Sequence, residues 1–267
     1  MSIDPNKKVP VAIVTGATGA IGFAISRKLA ALGLKVVMVS RDPLSADKAA
    51  ADIRKETDNK EVYVELVDVS KLSSIKDFVK RWQGPLNVLI NNAATAPREK
   101  ELNQEGLELQ FATNILGYVR FMIAFESIMA QSDLPRVINI ASYWAGDLVL
   151  DDLQFKTRRY HGDIAYRQSK QANRMLSIAF SNRWHGRGIS VNACHPGDVS
   201  SKLSNNLGFG GHETPDQGAE TPVWLATQPV GLENTGMYFE RKHIKKCSFS
   251  HMHDAIEDLY QHCLSFC

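Results

Sequence analysis

The chain has 267 residues, 44% of them apolar and 22% charged, with a formal net charge of +2. That length supports one large domain with a sizeable core, and nothing in the near-neutral overall charge points to nucleic acid or to an acidic surface. No apolar run approaches the ~20 residues that span a bilayer, and the polar start Met1–Pro10 lacks a secretory apolar segment, so neither a leader nor a transmembrane anchor is expected.

Taken in order, Val9–Val14 is a compact β-rich run, followed by a glycine-rich turn. A helical pattern covers Ile21–Leu32, with Gly33 placed as its C-cap. Lys35–Val39 reads as a strand, Ser45–Glu56 as a helix and Val62–Val67 as a strand. Ile75–Trp82 is helical and Val88–Ile90 is the fourth strand. A long helix is expected over Gly106–Met129, then a strand over Val137–Ala141, a helix over Ile164–Trp184 and a strand over Ile189–Ala193. Pro215–Thr227 is helical, Met237–Phe239 is a short last strand, and Asp254–Cys263 is a helix in the tail.

Strands and helices alternate, and the strands are near-continuous apolar runs, as in a parallel sheet buried on both faces. The expected fold is α/β: a single Rossmann-type, doubly wound domain over residues 1–267, with a mostly parallel seven-stranded sheet flanked by helices. Its core is expected over 9–239 and a tail with one helix over 240–267. The four cysteines, Cys194, Cys247, Cys263 and Cys267, form no paired motif. They read as reduced thiols, which places the chain in the cytoplasm.

In such sheets ligands bind beyond the carboxyl ends of the strands. Thr15-Gly16-Ala17-Thr18-Gly19-Ala20-Ile21-Gly22 lies between the first strand and the first helix. Glycines there let backbone N–H groups approach a pyrophosphate, and the helix N-terminus favours its charge. Gly16, Thr18, Gly19, Ile21 and Gly22 are therefore candidates for holding a dinucleotide. A tight turn that merely needs glycine is the plain alternative.

The second strand ends in Ser40-Arg41, a hydroxyl and a guanidinium, where an NAD enzyme usually carries a carboxylate. This pair suits a 2′-phosphate and so NADPH/NADP+ over NADH/NAD+. Asp42 is expected to point away or to start the next helix. Asp68, beside Val69, can accept from an adenine amino group or serve as a turn or cap residue. Asn91-Asn92-Ala93-Ala94 supplies small residues where backbone passes close to a ligand.

Tyr166 and Lys170 stand four apart on one helix and share a face. A phenol ordinarily ionises near pH 10. A neighbouring ammonium, helped by a cationic nicotinamide, is expected to bring it down into use as a general acid or base. Ser142 can hold the substrate oxygen beside it.

The ordered set Thr15–Gly22, Asp68, Asn91–Ala94, Asn114, Ser142, Tyr166-x-x-x-Lys170 and Pro196-Gly197 resembles the short-chain dehydrogenase/reductase family from about Val9 to Phe239. That resemblance implies hydride transfer between a nicotinamide and a carbonyl or alcohol. It implies that Asn114 pins a water in a proton relay to Lys170, Ser142 orients the carbonyl, Tyr166 donates the proton and Lys170 also holds the nicotinamide ribose. Pro196, Gly197 and Val199 would lie beside the nicotinamide ring, with Asn92, Ala93 and Ala94 also on the cofactor. Helices such as Gly106–Met129 and Ile164–Trp184 often pair in this family, so a homodimer is considered.

Ser142 and Tyr166 are 24 residues apart, farther than in most of that family. The insert, with Leu150-Asp151-Asp152-Leu153 and Phe155, resembles the retinol dehydrogenase and WW-domain oxidoreductase branch. So do Ala165–Asn173 and His195-Pro196-Gly197-Asp198-Val199-Ser200. Residues Asp147–Asp163 are expected to form a loop at the mouth of the pocket, with Phe155 its one buried aromatic. Tyr143-Trp144 either shape a flat substrate site or pack in the core. Specificity is expected to lie in the insert, in Leu203–Glu213 and in the tail.

No metal is expected: His243, Cys247, His251 and His253 are too loosely spaced for a zinc site. His195 is taken as structural or cofactor-lining, and Cys194 as core. Two other activities fit the same residues: an idle dinucleotide-binding sensor or scaffold, and an NADPH-dependent reductase of a carbon–carbon double bond.

Overall fold

A computed structural model describes residues 9–267. Most of the expected Met1–Pro10 start lies outside the described residues. The sheet has eight strands in the order β3-β2-β1-β4-β5-β6-β7-β8, one more than the seven expected. β1 (Val11–Thr15), β2 (Lys35–Ser40), β3 (Val62–Leu66), β4 (Val88–Asn91), β5 (Arg136–Ile140), β6 (Ser190–His195) and β7 (Tyr238–Glu240) run parallel. β8 (His243–Lys245) turns back antiparallel on β7 through Arg241 and Lys242, both at positive φ. Its three residues are exposed, so no apolar run announces it.

The strands alternate their side chains between two cores. Val11 and Ile13 of β1 face one, Ala12 and Val14 the other. The second core is covered by α1 (Ala20–Ala31) and α2 (Pro43–Thr57). Asp42 starts α2 as its N-cap, accepting the Ser45 N–H at 3.0 Å, with Pro43 in the first turn. The first core is covered by α3 (Leu72–Arg81), α4 (Gly117–Met129) and α5 (Gly162–Trp184).

The expected long helix Gly106–Met129 is interrupted. Gly106 sits outside it at φ +74°, and Phe111–Leu116 is a π-helical turn running into α4. The expected helix Pro215–Thr227 breaks at Ala219 into two pieces. After β6 come α6 (Lys202–Asn206), α7 (Pro215–Gly218), α8 (Glu220–Thr227) and α9 (Val230–Glu233). The tail helix α10 (His253–Leu264) is not peripheral: Ile256, Leu259 and Cys263 join the first core against α5. Among the described residues no helix is long and apolar enough to cross a membrane.

The strand order reverses between β1 and β4, which makes a crevice at their carboxyl ends. Thr15 closes its floor. Its Oγ1 accepts the N–H groups of Asn92 and Ala93 at 2.9 and 3.0 Å.

The insert is the main departure from expectation. It forms no strand, and it does reach a pocket rim at Arg159–Asp163. Its middle, however, is core: Asp152, Leu153, Gln154 and Phe155 are all buried. The buried Asp152 carboxylate organises the turn, accepting the N–H groups of Lys156 at 2.6 Å and Arg158 at 2.9 Å and the Thr157 hydroxyl at 2.8 Å. These bonds hold its carboxyl well below the usual carboxylate range against the opposing effect of burial. Lys100 Nζ and Gln168 Nε2 then donate to the Phe155 and Leu153 carbonyls at 2.7 and 2.8 Å. Of the charged residues in this stretch, Asp152 and Arg158 satisfy its backbone, while Asp147, Asp151, Lys156, Arg159 and Asp163 are exposed.

Candidate active site

The glycine turn joins β1 to α1, and its three glycines are needed for different reasons. Gly16 has φ +63°, and a Cβ there would fall 2.7 Å from Ala93 Cα. A Cβ on Gly22 would lie 2.3 Å from the Gly16 carbonyl oxygen. Asn92 Nδ2 locks the same place, donating to Thr15 O at 2.8 Å and Gly16 O at 3.2 Å. Gly19 differs: at φ −73° its Cβ would meet only Gly16 O, at an ordinary 3.4 Å. Nothing inside the protein requires glycine there. It is the N-cap of α1, with no side-chain cap, and leaves the helix N–H groups open to the cleft. A phosphate group fits that opening.

The cleft has a volume of about 440 Å³. Gly16, Thr18, Gly19, Ile21, Gly22, Ser40, Arg41, Val69, Asn92, Ala93 and Ala94 line it, as does Asp42. Ser40 is buried, 3.3 Å from the Thr18 hydroxyl. Arg41 is exposed, and its side chain makes no bond to another described residue. The Asp42 carboxylate is committed to its cap. Asp68 is not among the lining residues, although Val67 and Val69 are. Its carboxylate takes the turn role, accepting Ser70 N–H at 3.0 Å and Ser70 Oγ at 2.7 Å, with Lys71 Nζ at 3.7 Å.

Ile21, Asn92, Ala94, Ser201 and Leu203 border both this cleft and a smaller cavity of about 60 Å³. There Ser142, Tyr166 and Lys170 converge with Pro196, Gly197 and Val199. Ser142 follows β5, the other two lie on α5, and the Pro-Gly turn follows β6. Gly197 has φ +106°, and a Cβ on it would collide with the Glu213 carboxylate. Tyr143, Trp144 and Phe209 wall the cavity, with Trp144 and Phe209 ring centroids 4.6 Å apart. Tyr143 packs its edge on His195 at 4.8 Å.

Ser142 and Tyr166 line the same cavity, and the Ser142 hydroxyl accepts the Trp144 N–H at 3.1 Å. Lys170 Nζ lies 5.5 Å from the Tyr166 ring centroid and donates to Ile140 O at 2.8 Å. Burial dominates both ionisations. It pushes the Tyr166 phenol well up, against the smaller opposing effect of the nearby Ser142 hydroxyl. It brings Lys170 down to about 7. The ammonium expected to lower the phenol is itself destabilised by the same dry surroundings, so burial favours the neutral form of both groups. Burial also brings His195 down to about 4, with its Nδ1 buried and unpartnered.

Asn114 is fully buried on the π-helical turn, a distortion common at functional sites. It clamps Thr95, accepting its N–H and donating to its carbonyl, both at 2.9 Å. It reaches Ser169 Oγ at 3.2 Å rather than the neighbouring Lys170. Among the described residues no cluster of His, Cys, Asp or Glu is placed to hold a metal. Cys247 is buried, while His243, His251 and His253 are exposed.

Arg174 was not anticipated. It is buried on α5, one turn beyond Lys170, and donates through Nη2 to the Ser142 carbonyl. Its guanidinium lies 3.5 Å from the Tyr238 ring centroid. The available signal was a basic residue on the stripe that Tyr166 and Lys170 mark, spaced at helical repeats.

This is a dinucleotide-type cleft joined to a Ser–Tyr–Lys cavity at the switch point of a doubly wound sheet. Residues 10–209 match the short chain dehydrogenase family, and the chain belongs to it. A protein from Streptomyces antibioticus named "Probable oxidoreductase" is 32% identical over 250 residues, 86% of this chain and 84% of that one. Human retinol dehydrogenase 13 is 31% identical over 256 residues, 88% of this chain and 76% of its own. A crystal structure of an uncharacterized protein from Mycobacterium paratuberculosis superposes with a TM-score of 0.77 at 25% identity, covering 95% of this chain and 92% of that one.

Proposed function

We propose that this oxidoreductase is an NADP(H)-dependent carbonyl reductase or alcohol dehydrogenase. The observation that carries the reading is the convergence of Ser142, Tyr166 and Lys170 in one small cavity that shares Ile21, Asn92 and Ala94 with the glycine-turn cleft. Gly19 and the α1 N-terminus would hold the pyrophosphate, Ser40 and Arg41 the 2′-phosphate, and Pro196, Gly197 and Val199 the nicotinamide end. When bound, the nicotinamide supplies or accepts the hydride. In reduction, Tyr166 passes its proton to the substrate oxygen while the Ser142 hydroxyl hydrogen-bonds to it. Lys170, poised near neutrality by burial, replenishes the phenol. Asn114 keeps the loop at Thr95 docked beside it.

The aromatic wall of Tyr143, Trp144 and Phe209 favours a flat, largely apolar substrate. A human relative carries retinol dehydrogenase in its name, so long apolar alcohols and aldehydes belong in the screen. The four cysteines are free thiols, in keeping with a cytoplasmic setting. A homodimer through α4 and α5 would have to use the surface that α10 leaves open, which light scattering can test. The deciding experiment follows NADPH oxidation with a carbonyl panel, with NADH alongside and with product analysis. Turnover that yields alcohols and prefers NADPH is expected. Saturated carbonyl products would point instead to double-bond reduction, and binding of NADPH with no turnover of any substrate would favour the idle dinucleotide-binding role.

A further inference from the structure

Arg174 carries a charge in a place where charge is expensive. It is 6% exposed, on the inward face of α5. Among the described residues no carboxylate lies within ion-pair distance of it. Its Nε is buried without a partner. What it has is the Ser142 carbonyl, the face of Tyr238 at 3.5 Å and the ring of Phe249 at 5.9 Å. Burying a charge with no ion-pair partner is costly, so packing alone is a poor account of it.

Its place on α5 and its contacts with Ser142 and Tyr238 join the parts of the site. α5 carries Tyr166 and Lys170, the turn after β5 carries Ser142, and β7 pairs with β6, which leads into Pro196 and Gly197. The guanidinium meets the backbone of the one residue whose hydroxyl must face the phenol. That hydroxyl already accepts the Trp144 N–H at 3.1 Å, so the turn is held at its side chain and, through Arg174, at its carbonyl.

We propose that Arg174 is a positioning residue, which holds Ser142 in register with Tyr166 and ties that register to the C-terminal strand β7. The proposal rests on the reading of Ser142 and Tyr166 given above and goes beyond it, since Arg174 touches neither reacting group. The other titratable groups around the cluster are Lys170 on α5, Tyr118 on α4, Cys194 and His195 on β6, Asp198 beyond it and Glu240 on β7. All of them stay in place in the variants below, as does Cys247 beside the guanidinium.

The test is a double-mutant cycle of Ser142→Ala and Arg174→Met, with Arg174→Lys beside it. Four quantities are measured: kcat, KM, the Kd for NADPH, and the pH at which Tyr166 ionises. The last is read as the tyrosinate absorbance difference between each protein and its Tyr166→Phe counterpart. Arg174→Met is expected to lower kcat roughly tenfold, a fraction of the ~10²–10³-fold that loss of a direct oxyanion donor costs. KM and NADPH affinity should change little. Its Tyr166 should ionise at higher pH, as in Ser142→Ala, because Arg174 holds the turn that keeps the Ser142 hydroxyl in the phenol's cavity, where it opposes the upward push of burial. In the double variant Arg174→Met should add nothing to Ser142→Ala, and Arg174→Lys should restore part of kcat. Losses that multiply in the double variant, or an unmoved Tyr166 titration in Arg174→Met, overturn the proposal in favour of plain packing. Should Arg174→Met not fold, Tyr238→Leu removes the ring under the guanidinium while leaving its bond to Ser142. A smaller upward shift of the same titration is then expected, and no shift overturns the idea. If the unaltered protein reduces no carbonyl, the functional reading fails by itself, and the titration cycle still decides whether Arg174 acts through Ser142.

Discussion

The glycine turn and the long insert before Tyr166 are held in opposite ways. The turn is short, and its shape follows from what its own residues lack: a Cβ at Gly16 or Gly22 would strike backbone within 3 Å. The insert is long, and its shape follows from what distant elements supply. Lys100, Gln168 and the buried face of α10 all converge on it. The turn leaves its helix N-terminus open to the cleft, while the insert satisfies itself around Asp152. The lesson is that polar residues near a site do not by themselves mark a binding loop; Asp152 and Arg158 are spent on the insert's own backbone.

This contrast predicts that activity and stability come apart by region. The largest effect is expected on the catalytic side, where Tyr166→Phe should lower kcat by ~10²–10⁴-fold. Its melting temperature and NADPH affinity should stay close to those of the unaltered protein. Near-normal turnover would remove Tyr166 as the proton donor.

The insert should behave in the reverse sense. Phe155 is 3% exposed and packs edge-on to Tyr160 at 5.2 Å. Phe155→Ala should cost ~3–5 kcal/mol of stability in denaturant unfolding, while any folded enzyme keeps its NADPH affinity. A negligible stability loss would return the insert to the status of a rim loop.

Between the two regions lies His195, at the cavity floor. Its folded pKa of about 4 lies below the ordinary value of 6.5, so it favours the folded state above pH 6.5 and that contribution is lost as pH falls through 4. The loss amounts to roughly 3 kcal/mol at ~1.4 kcal/mol per pH unit. Melting temperatures of the protein and of His195→Gln, compared from pH 7 to pH 4, should therefore converge at the acid end. Parallel curves would show that His195 is not held neutral.

The smallest effect concerns the open end of the turn. Arg41→Ala should weaken NADPH by ten- to a hundredfold and NADH hardly at all, since a charge-assisted hydrogen bond is worth ~1.5–3 kcal/mol. Equal losses with both cofactors would make Arg41 a residue of the loop and nothing more.

Much of this protein was legible in its order of residues. Strand positions, the glycine turn, the capping role of Asp42 and the pairing of Tyr166 with Lys170 depend on near neighbours, where period, turn chemistry and helical spacing apply. Local pattern determined the α/β class and located the site at strand ends for the same reason. Tertiary structure decided the rest. The eighth strand is polar and exists because β7 offers it an edge. The π-helical turn that seats Asn114 comes from packing against Thr95 and Ser169, not from any break in the apolar pattern. Asp68 makes the turn contacts that its position also allowed, to Ser70 and Lys71. Burial set the protonation of Tyr166 and Lys170 against the attraction that their spacing suggests. Arg174 found the Ser142 carbonyl 32 residues away, a meeting visible only once β5 and α5 are packed, because desolvation and long-range contact depend on what the folded chain places around a residue and not on which residues flank it.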